Sequence, residues 1–462
     1  MSERGTGSPY DLIGVGIGPF NLALAALLEP VAGVDPLFLE QRQEFSWHPG
    51  LLLEGCTTQV PFLADLVTLA DPTSPHSFLA YLKAHDRLYR FYVREEFHVP
   101  RREYDHYCRW VAGRLAACRF GRRVERVRWL DRPALFEADV VQPMGGAARR
   151  VRGRNLVLGV GGAPRVPAGL AAALGKDVLH AASFLEHRDH LRRGSAIVVV
   201  GSGQSGAEIF LELLREQPTT GYRLDWLTRS AGFPPMEYSK LGLEHFTPDY
   251  TRYFQALPEA TRDRLLPTQD LLYKGIDTAT IAAIYDLLYE RTVGGASPPA
   301  RLLAHTAVRG IDRRGDHWRL QCHQWEQDAR FSLEADRVVL ATGYRTDPPA
   351  CIEELRPRIA WDQAGRYRVG PDYRVETDPA VSGALLVQNA ELHSHGVGAP
   401  DLGLGAHRAA VIANALAGRE VYRLPARTAF TDFAAFTAVN HPGVNQCQAP
   451  TSSPAPPSPS RS

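Results

Sequence analysis

The chain has 462 residues, with 52 Lys and Arg against 51 Asp and Glu and a formal charge of +1. That length allows two or three domains with substantial cores, and the charge balance gives no reason to expect nucleic acid or another polyanion as a partner. The six cysteines (Cys56, Cys108, Cys118, Cys322, Cys351, Cys447) form no C-x-x-C pair, which argues against a redox dithiol, a zinc site or a disulfide scaffold. The first residues carry no signal-peptide apolar region, and no apolar run is long enough to span a bilayer. A cytoplasmic protein is therefore expected.

In "YDLIGVGIGPFNLALAALL", Asp11 to Val15 reads as a short apolar strand, followed by a glycine turn and a helix. Gly14 is expected to permit the tight turn, Gly16 to let the backbone approach a pyrophosphate, and the helix N-terminus to present N–H groups to phosphate. Gly18 follows, and Pro19 stands where the last glycine of G-x-G-x-x-G would be, a position suited to the first helical turn. "PLFLEQ" reads as the next strand, and Glu40 at its end is placed to accept from a ribose 2′-hydroxyl. The stretch "QVPFLADLVTLADP", Gln59 to Pro72, has no nucleophile, no histidine and no metal-ligand spacing.

"SAIVVVGSGQSGAEIFLELL" repeats the pattern with Gly201, Gly203 and Gly206. Its apolar strand, Ala196 to Val200, has the continuous character of a buried parallel strand. The strand that follows, "YRLDWLTRS", ends on Thr228-Arg229-Ser230 instead of an acid. A guanidinium at that point suits a ribose 2′-phosphate. The first site is thus expected to hold FAD and the second NADPH. Helical periodicity at Ile281, Ile284, Leu287 and Leu288 marks an insert between the strands of the second unit. A third landmark, Val338 to Ala341 running into Thr342-Gly343-Tyr344, reads as a returning strand whose Gly343 lets the chain pass close to a cofactor.

The expected fold is α/β, with two Rossmann-like dinucleotide-binding domains and a small, mainly helical substrate insert. Residues 8–165 and 331–430 form the FAD domain, 166–238 and 292–330 the NADPH domain, and 239–291 the insert. The Pro/Ser-rich segment 442–462 is expected to be disordered.

Taken together, the glycine turn with Leu22, "FSWHPGLLLEG", "QVPFLADLVTLADPTSPHSF", "PRREYDHYCRWV", "GSGQSGAEI", "FTPDY" and "DRVVLATGY" resemble the class B flavin N-hydroxylating monooxygenases of siderophore biosynthesis, the lysine and ornithine N-monooxygenase group. The resemblance runs to about Tyr422. It implies FAD, NADPH, O₂ and hydroxylation of a primary amine through a C4a-hydroperoxyflavin. It implies that Trp47 and His48 line the isoalloxazine, that Gln59 contacts the flavin, and that Gln204, Ser205 and Arg229 contact NADPH. Lys274 either reaches NADPH phosphates or is simply solvated. The flavin-borne chemistry leaves no catalytic side chain assigned and no metal expected.

Amino-acid members of that group carry Lys in "FLKDL" and Asn before the Glu of "NEIF". Here those positions are Ala64 and Leu243. A site for a carboxylate without its lysine would leave charge unpaired. The expected substrate is therefore a diamine, cadaverine or putrescine, with Asp401 or Glu244 holding its second ammonium. L-lysine N6-hydroxylation is the alternative, with L-ornithine N5-hydroxylation behind it. Three other classes fit the fingerprints less well: a disulfide reductase lacks its dithiol, "FLADLVT" argues against a C- or S-oxygenase, and a redox sensor needs fewer nucleotide sites. A homo-oligomer, dimer or tetramer, is expected.

Overall fold

The computed structural model describes residues 8–145 and 148–435, so the expectation for 442–462 falls outside the described residues. The chain opens with β1 (Tyr10–Val15) and α1 (Pro19–Leu28). Nine of the ten residues of α1 are buried, which explains why its sequence is apolar on all sides. β2 (Pro36–Leu39) lies parallel to β1, with Phe38 opposite Gly14. β3 (Thr57–Pro61) and β4 (His98–Pro100) form an antiparallel ribbon that leads into α2 (Arg101–Arg114). β5 (Cys118–Arg119) extends the sheet beside β2. β6 (Arg123–Leu130), β7 (Leu135–Val141) and β8 (Arg149–Leu158) follow as a meander, and β8 returns parallel to β1.

After β9 (Ala163–Pro164) the second unit begins with β10 (Val178–His180), β11 (Ala196–Val200), α3 (Gln204–Thr220) and β12 (Arg223–Leu227). The insert supplies α4 (Pro248–Ala256) and α5 (Thr278–Glu290). β13 (Ala300–Leu303) rejoins the sheet, and β14 (Thr306–Arg314), β15 (His317–Gln324) and β16 (Ala329–Ala335) form an antiparallel meander. β17 (Arg337–Leu340) slots between β10 and β11, giving a parallel sheet in the order β10-β17-β11-β12-β13. β18 (Tyr344–Arg345) then pairs with β9, so the two chain crossings between domains run side by side. β19 (Leu385–Val387) completes the first sheet against β8, and α6 (Gly405–Ala417) packs on α1.

Two expected boundaries change. β16 and β17 belong to the second domain, so the return to the first comes at β18 and not at residue 331. A short apolar strand suits the centre of either parallel sheet, and its sequence does not say which. The insert also divides. Ile281, Ile284, Leu287 and Leu288 of α5 pack into the second domain's core, whereas Tyr250 and Phe254 of α4 pack against Val397 of the first domain. No helix among the described residues is long and apolar enough to cross a membrane.

Candidate cofactor and amine sites

The first glycine turn divides its tasks differently from the expectation. A Cβ on Gly14 would lie 2.1 Å from the Phe38 ring, so this glycine serves the packing of β2 against β1 and not the turn. The left-handed residue is Gly16, at φ +86°, where a Cβ would lie 2.6 Å from the Gly159 carbonyl oxygen. Gly18 meets nothing nearer than 4.0 Å and leaves the approach to the α1 N-terminus open. The Asn21 amide steadies the turn by donating to the Gly16 carbonyl (2.8 Å) and the Val15 carbonyl (3.2 Å), and Gln388 donates to Asn21 (2.7 Å). The sequence reading missed both amides. Glu40 stands just after β2 and accepts from the Ile17 and Arg42 amides, each at 2.9 Å.

Beside this turn lie the rings of "SWHPG". Asp105 of α2 accepts from the Trp47 amide (2.7 Å), and the indole sits edge-on to Tyr104 and His48. His48 is left-handed at φ 48°, and burial, then Arg101 and Arg42, lower its imidazole to about pH 4, so it is neutral near pH 7. Its ring is 5.5 Å from Tyr344, which follows Thr342 and Gly343. Those two residues are tied to the β9 crossing: Thr342 donates to the Arg165 carbonyl, and the Gly343 carbonyl accepts from the Arg165 amide (2.9 Å) and from His180 (3.0 Å). Gln59 in β3 has a buried Nε2 with no partner among the described residues, while its backbone carbonyl accepts from the hydroxyl of Tyr238, immediately before the insert. A buried amide donor without an acceptor costs about 1–3 kcal/mol. A ligand ring with acceptor atoms would relieve it. This turn, acid and orphan donor fit a flavin dinucleotide.

In the second turn Gly201 has φ +121°, and a Cβ there would lie 2.2 Å from the Ala341 carbonyl oxygen at the end of β17. A Cβ on Gly206 would lie 2.3 Å from the Gly201 carbonyl oxygen, while Gly203 is open at the N-terminus of α3. Thr228 donates to Ser202 (2.8 Å) and accepts from the Ser230 amide (3.1 Å), joining the turn to the end of β12. Between Thr228 and Ser230, Arg229 is exposed, and its guanidinium makes no ion pair among the described residues. This arrangement fits a phosphorylated dinucleotide. Ser205 lies in the first turn of α3. Gln204, expected to contact NADPH, opens α3. Its side-chain amide accepts from the Asp277 amide (2.7 Å) and donates to Glu208 (2.8 Å) and Thr280 (3.2 Å), which ties α3 to the start of α5. Glu208 in turn takes a bidentate pair from Arg101 of α2, at 2.7 and 2.8 Å, across the domain boundary. Lys274 pairs with Asp270 at 2.6 Å.

The third region answers why "FLADLVT" looks inert. Asp65 is buried and accepts from the amides of Val67 (2.9 Å), Thr68 (2.6 Å) and Phe78 (2.6 Å) and from the Thr68 hydroxyl (2.7 Å). That cage fixes the adjoining Ala64, which is 6% exposed. A Cβ on Gly403 would lie 3.9 Å from the Ala64 Cβ and 2.8 Å from Asp401 Oδ1, so Ala64 and Asp401 are neighbours. Asp401 caps the turn Leu402–Leu404 through the Gly403 amide (2.7 Å), and burial pushes its carboxyl up to about 6. Its charge reaches Tyr104 and Tyr238. Leu243 sits in the turn Gly242–Phe246. Glu244 does not stand ready for a ligand: its carboxylate accepts from the amides of Phe430 (2.8 Å) and Thr431 (2.9 Å) and from the Thr431 hydroxyl.

Comparison with known proteins gives a consistent set of relatives. The family described as L-lysine 6-monooxygenase/L-ornithine 5-monooxygenase matches residues 8–346. The rhizobactin siderophore biosynthesis protein RhbE of Rhizobium meliloti is 46% identical over 92% of this chain and 95% of its own. The putrescine N-hydroxylase of Shewanella oneidensis is 42% identical over 92% of this chain and 84% of its own. The FAD-bound crystal structure of DfoA, the cadaverine monooxygenase of desferrioxamine biosynthesis in Erwinia amylovora, superposes with a TM-score of 0.89 at 41% identity, covering 93% of this chain and all of that one.

Proposed function

The chain belongs to the L-lysine 6-monooxygenase/L-ornithine 5-monooxygenase family, and from that premise we propose that it hydroxylates one nitrogen of an aliphatic diamine, cadaverine or putrescine, for hydroxamate siderophore biosynthesis. It is a flavin N-monooxygenase that uses FAD and NADPH. When bound, FAD supplies the redox chemistry, taking electrons from NADPH and one oxygen atom from O₂ for the amine. Gly16, Gly18 and the start of α1 would hold the FAD pyrophosphate, Glu40 a ribose, and the free Gln59 amide the flavin ring beside Trp47 and His48. Gly203, Ser205, Arg229 and the start of α3 would hold NADPH. We assign the reaction to the cytoplasm and the enzyme to a homo-oligomer.

The observation that carries the diamine is the pairing of Ala64 with Asp401. The reacting nitrogen must be neutral although a free alkylamine titrates near ~10.4, and an enclosed site favours that form. The far nitrogen stays an ammonium and needs an anion. Asp401 supplies it, and the small Ala64 leaves room and adds no competing cation. Asp401 titrates at about 6 and is charged above that pH. The KM for diamine should therefore rise as pH falls through about 6, and Asp401→Asn should remove that inflection.

Steady-state hydroxylamine formation from cadaverine, putrescine, L-lysine and L-ornithine tests the reading. Diamines should have the highest kcat/KM. Ala64→Lys puts an ammonium beside Asp401 and should lower diamine kcat/KM by on the order of tenfold or more, since such a charge pair is worth up to ~4 kcal/mol at an effective dielectric of 20. If the unaltered enzyme works best on L-lysine, the diamine assignment is wrong.

A further inference from the structure

The segment after α6 crosses back over the insert and is gripped there by two carboxylates. Asp249, at the start of α4, accepts from the amides of Thr428 and Ala429 and from the Thr428 hydroxyl, and its own amide donates to that hydroxyl. Glu244, in the turn before α4, takes Phe430 and Thr431 in the same manner. Arg252 donates to the Ala426 carbonyl (2.8 Å). Phe433 completes the grip, its ring 4.9 Å from Tyr250, 5.4 Å from His245 and 6.0 Å from Tyr253. Phe430 itself is 89% exposed, so apolar burial of that side chain does not hold the segment.

The adjoining side of α4, which shares Tyr250 with the strap, faces the loop that bears Asp401. Tyr250 and Phe254 pack with Val397. A Cβ on Gly396 would lie 3.1 Å from Phe254 and 3.4 Å from Tyr250, and one on Gly398 would lie 3.9 Å from the Thr251 hydroxyl. Gly396 is left-handed at φ +78°, and this close approach leaves no space for a side chain there. The loop continues through two tight turns, the Ala399 amide to Gly396 (3.0 Å) and the Asp401 amide to Gly398 (3.1 Å). On the other flank, Tyr238, immediately before the insert, donates to the Gln59 carbonyl. The insert therefore lies between the C-terminal segment and the candidate amine site.

We infer that residues 426–433 form a strap that clamps α4 onto the 396–401 loop, and that Glu244 and Asp249 are positioning residues for the amine acting through that strap. The inference rests on the amine site proposed above. A carboxylate accepting two amides and a hydroxyl cannot be lost cheaply, because three donors are left without partners. Release of the strap frees α4 to shift, and Asp401 shifts with the loop it packs against. An ångström of misplacement at such a site costs on the order of tenfold to a hundredfold in kcat/KM. The dinucleotide turns lie on other elements and are untouched.

The test compares the full chain with chains ending at Ala435 and at Pro425, and adds Glu244→Ala to the full chain and to the shorter one. KM is measured for cadaverine and, in anaerobic flavin reduction, for NADPH. Backbone hydrogen exchange is followed over 242–256 and 396–401. The chain ending at Ala435 keeps the strap and should match the full chain. The chain ending at Pro425 should raise the cadaverine KM about tenfold, leave the NADPH KM within about twofold, and speed exchange in both segments. Glu244→Ala should raise the cadaverine KM in the full chain and add nothing in the shorter one. An equal effect of Glu244→Ala in both chains would assign Glu244 to the substrate itself and overturn the strap. Unchanged exchange on loss of 426–433 would overturn it as well. If the shorter chain fails to fold, Asp249→Asn and Phe433→Ala replace it in the same comparison. Should no chain turn over cadaverine, the diamine reading fails, and the exchange result still decides the strap.

Discussion

The two glycine turns have nearly the same letters and opposite finishes. In the first, the acid after the strand is locked: Glu40 bonds the Ile17 and Arg42 amides and closes over its own turn. In the second, the cation is loose: Arg229 projects into solvent while Thr228, Ser202 and Ser230 tie the backbone beneath it. A neutral ribose hydroxyl needs an acceptor held in one place, because a hydrogen bond is directional. A phosphate dianion is attracted over a distance and tolerates a mobile guanidinium. The two turns thus differ in what they offer a ribose: a fixed carboxylate in the first and an exposed guanidinium in the second.

The sharpest way to break that comparison is to add one methyl group to each turn. Gly16→Ala and Gly201→Ala both force a side chain into a left-handed residue and against a carbonyl oxygen. Backbone strain of about 1–3 kcal/mol combines with overpacking of similar size. Gly16→Ala should yield protein without FAD and without any NADPH oxidation. Gly201→Ala should keep its FAD and raise the NADPH KM by on the order of a hundredfold or more. Flavin absorbance per chain and NADPH oxidation measure the two losses. Loss of FAD in both variants would mean that the turns do not serve separate nucleotides.

A smaller effect comes from the cation alone. Arg229→Ala removes the charge and leaves the turn intact, so it should raise the NADPH KM tenfold to a hundredfold, the equivalent of roughly 1.5–3 kcal/mol. The NADH KM should hardly move, since NADH has no 2′-phosphate. Equal effects on both coenzymes would sink the assignment of Arg229.

The glycine turns and their flanking Glu40 and Arg229 were legible in the sequence because backbone geometry and strand ends impose residue types locally. The distribution of tasks among the glycines was not. Gly14 reads as a turn residue until Phe38 is seen to occupy the space above it. The Asp65 cage was hidden because an aspartate with an apolar neighbourhood looks like a loop residue, and only the fold brings the Phe78 amide to it. Long-range pairs were invisible for the same reason: Arg101 and Glu208 stand 107 residues apart, and Glu244 and Thr431 stand 187 apart. Glu244 drew a ligand role in the sequence because a carboxylate near a substrate motif has no visible partner until the chain returns.

Lys274 gives the smallest expected effect and the finest resolution of the contrast between fixed and free charge. Its backbone carbonyl lies 3.8 Å from where a Cβ on Gly203 would stand, so it borders the second turn, as Arg229 does from the end of β12. Proximity alone would make either one the phosphate ligand. The side chains differ: the Lys274 ammonium is held by Asp270 at 2.6 Å and lies 5.0 Å from the Tyr273 ring centroid, whereas the Arg229 guanidinium has no such acid or ring among the described residues. To reach a phosphate, Lys274 would have to leave its carboxylate, and the exchange of one anion for another gains little. An exposed pair of this kind contributes about 0–1 kcal/mol to stability, so Lys274→Ala should change the NADPH KM by less than about twofold and the melting temperature only slightly. A rise matching that of Arg229→Ala would show that the lysine swings from Asp270 to the coenzyme, and the second site would then hold its phosphate with two cations.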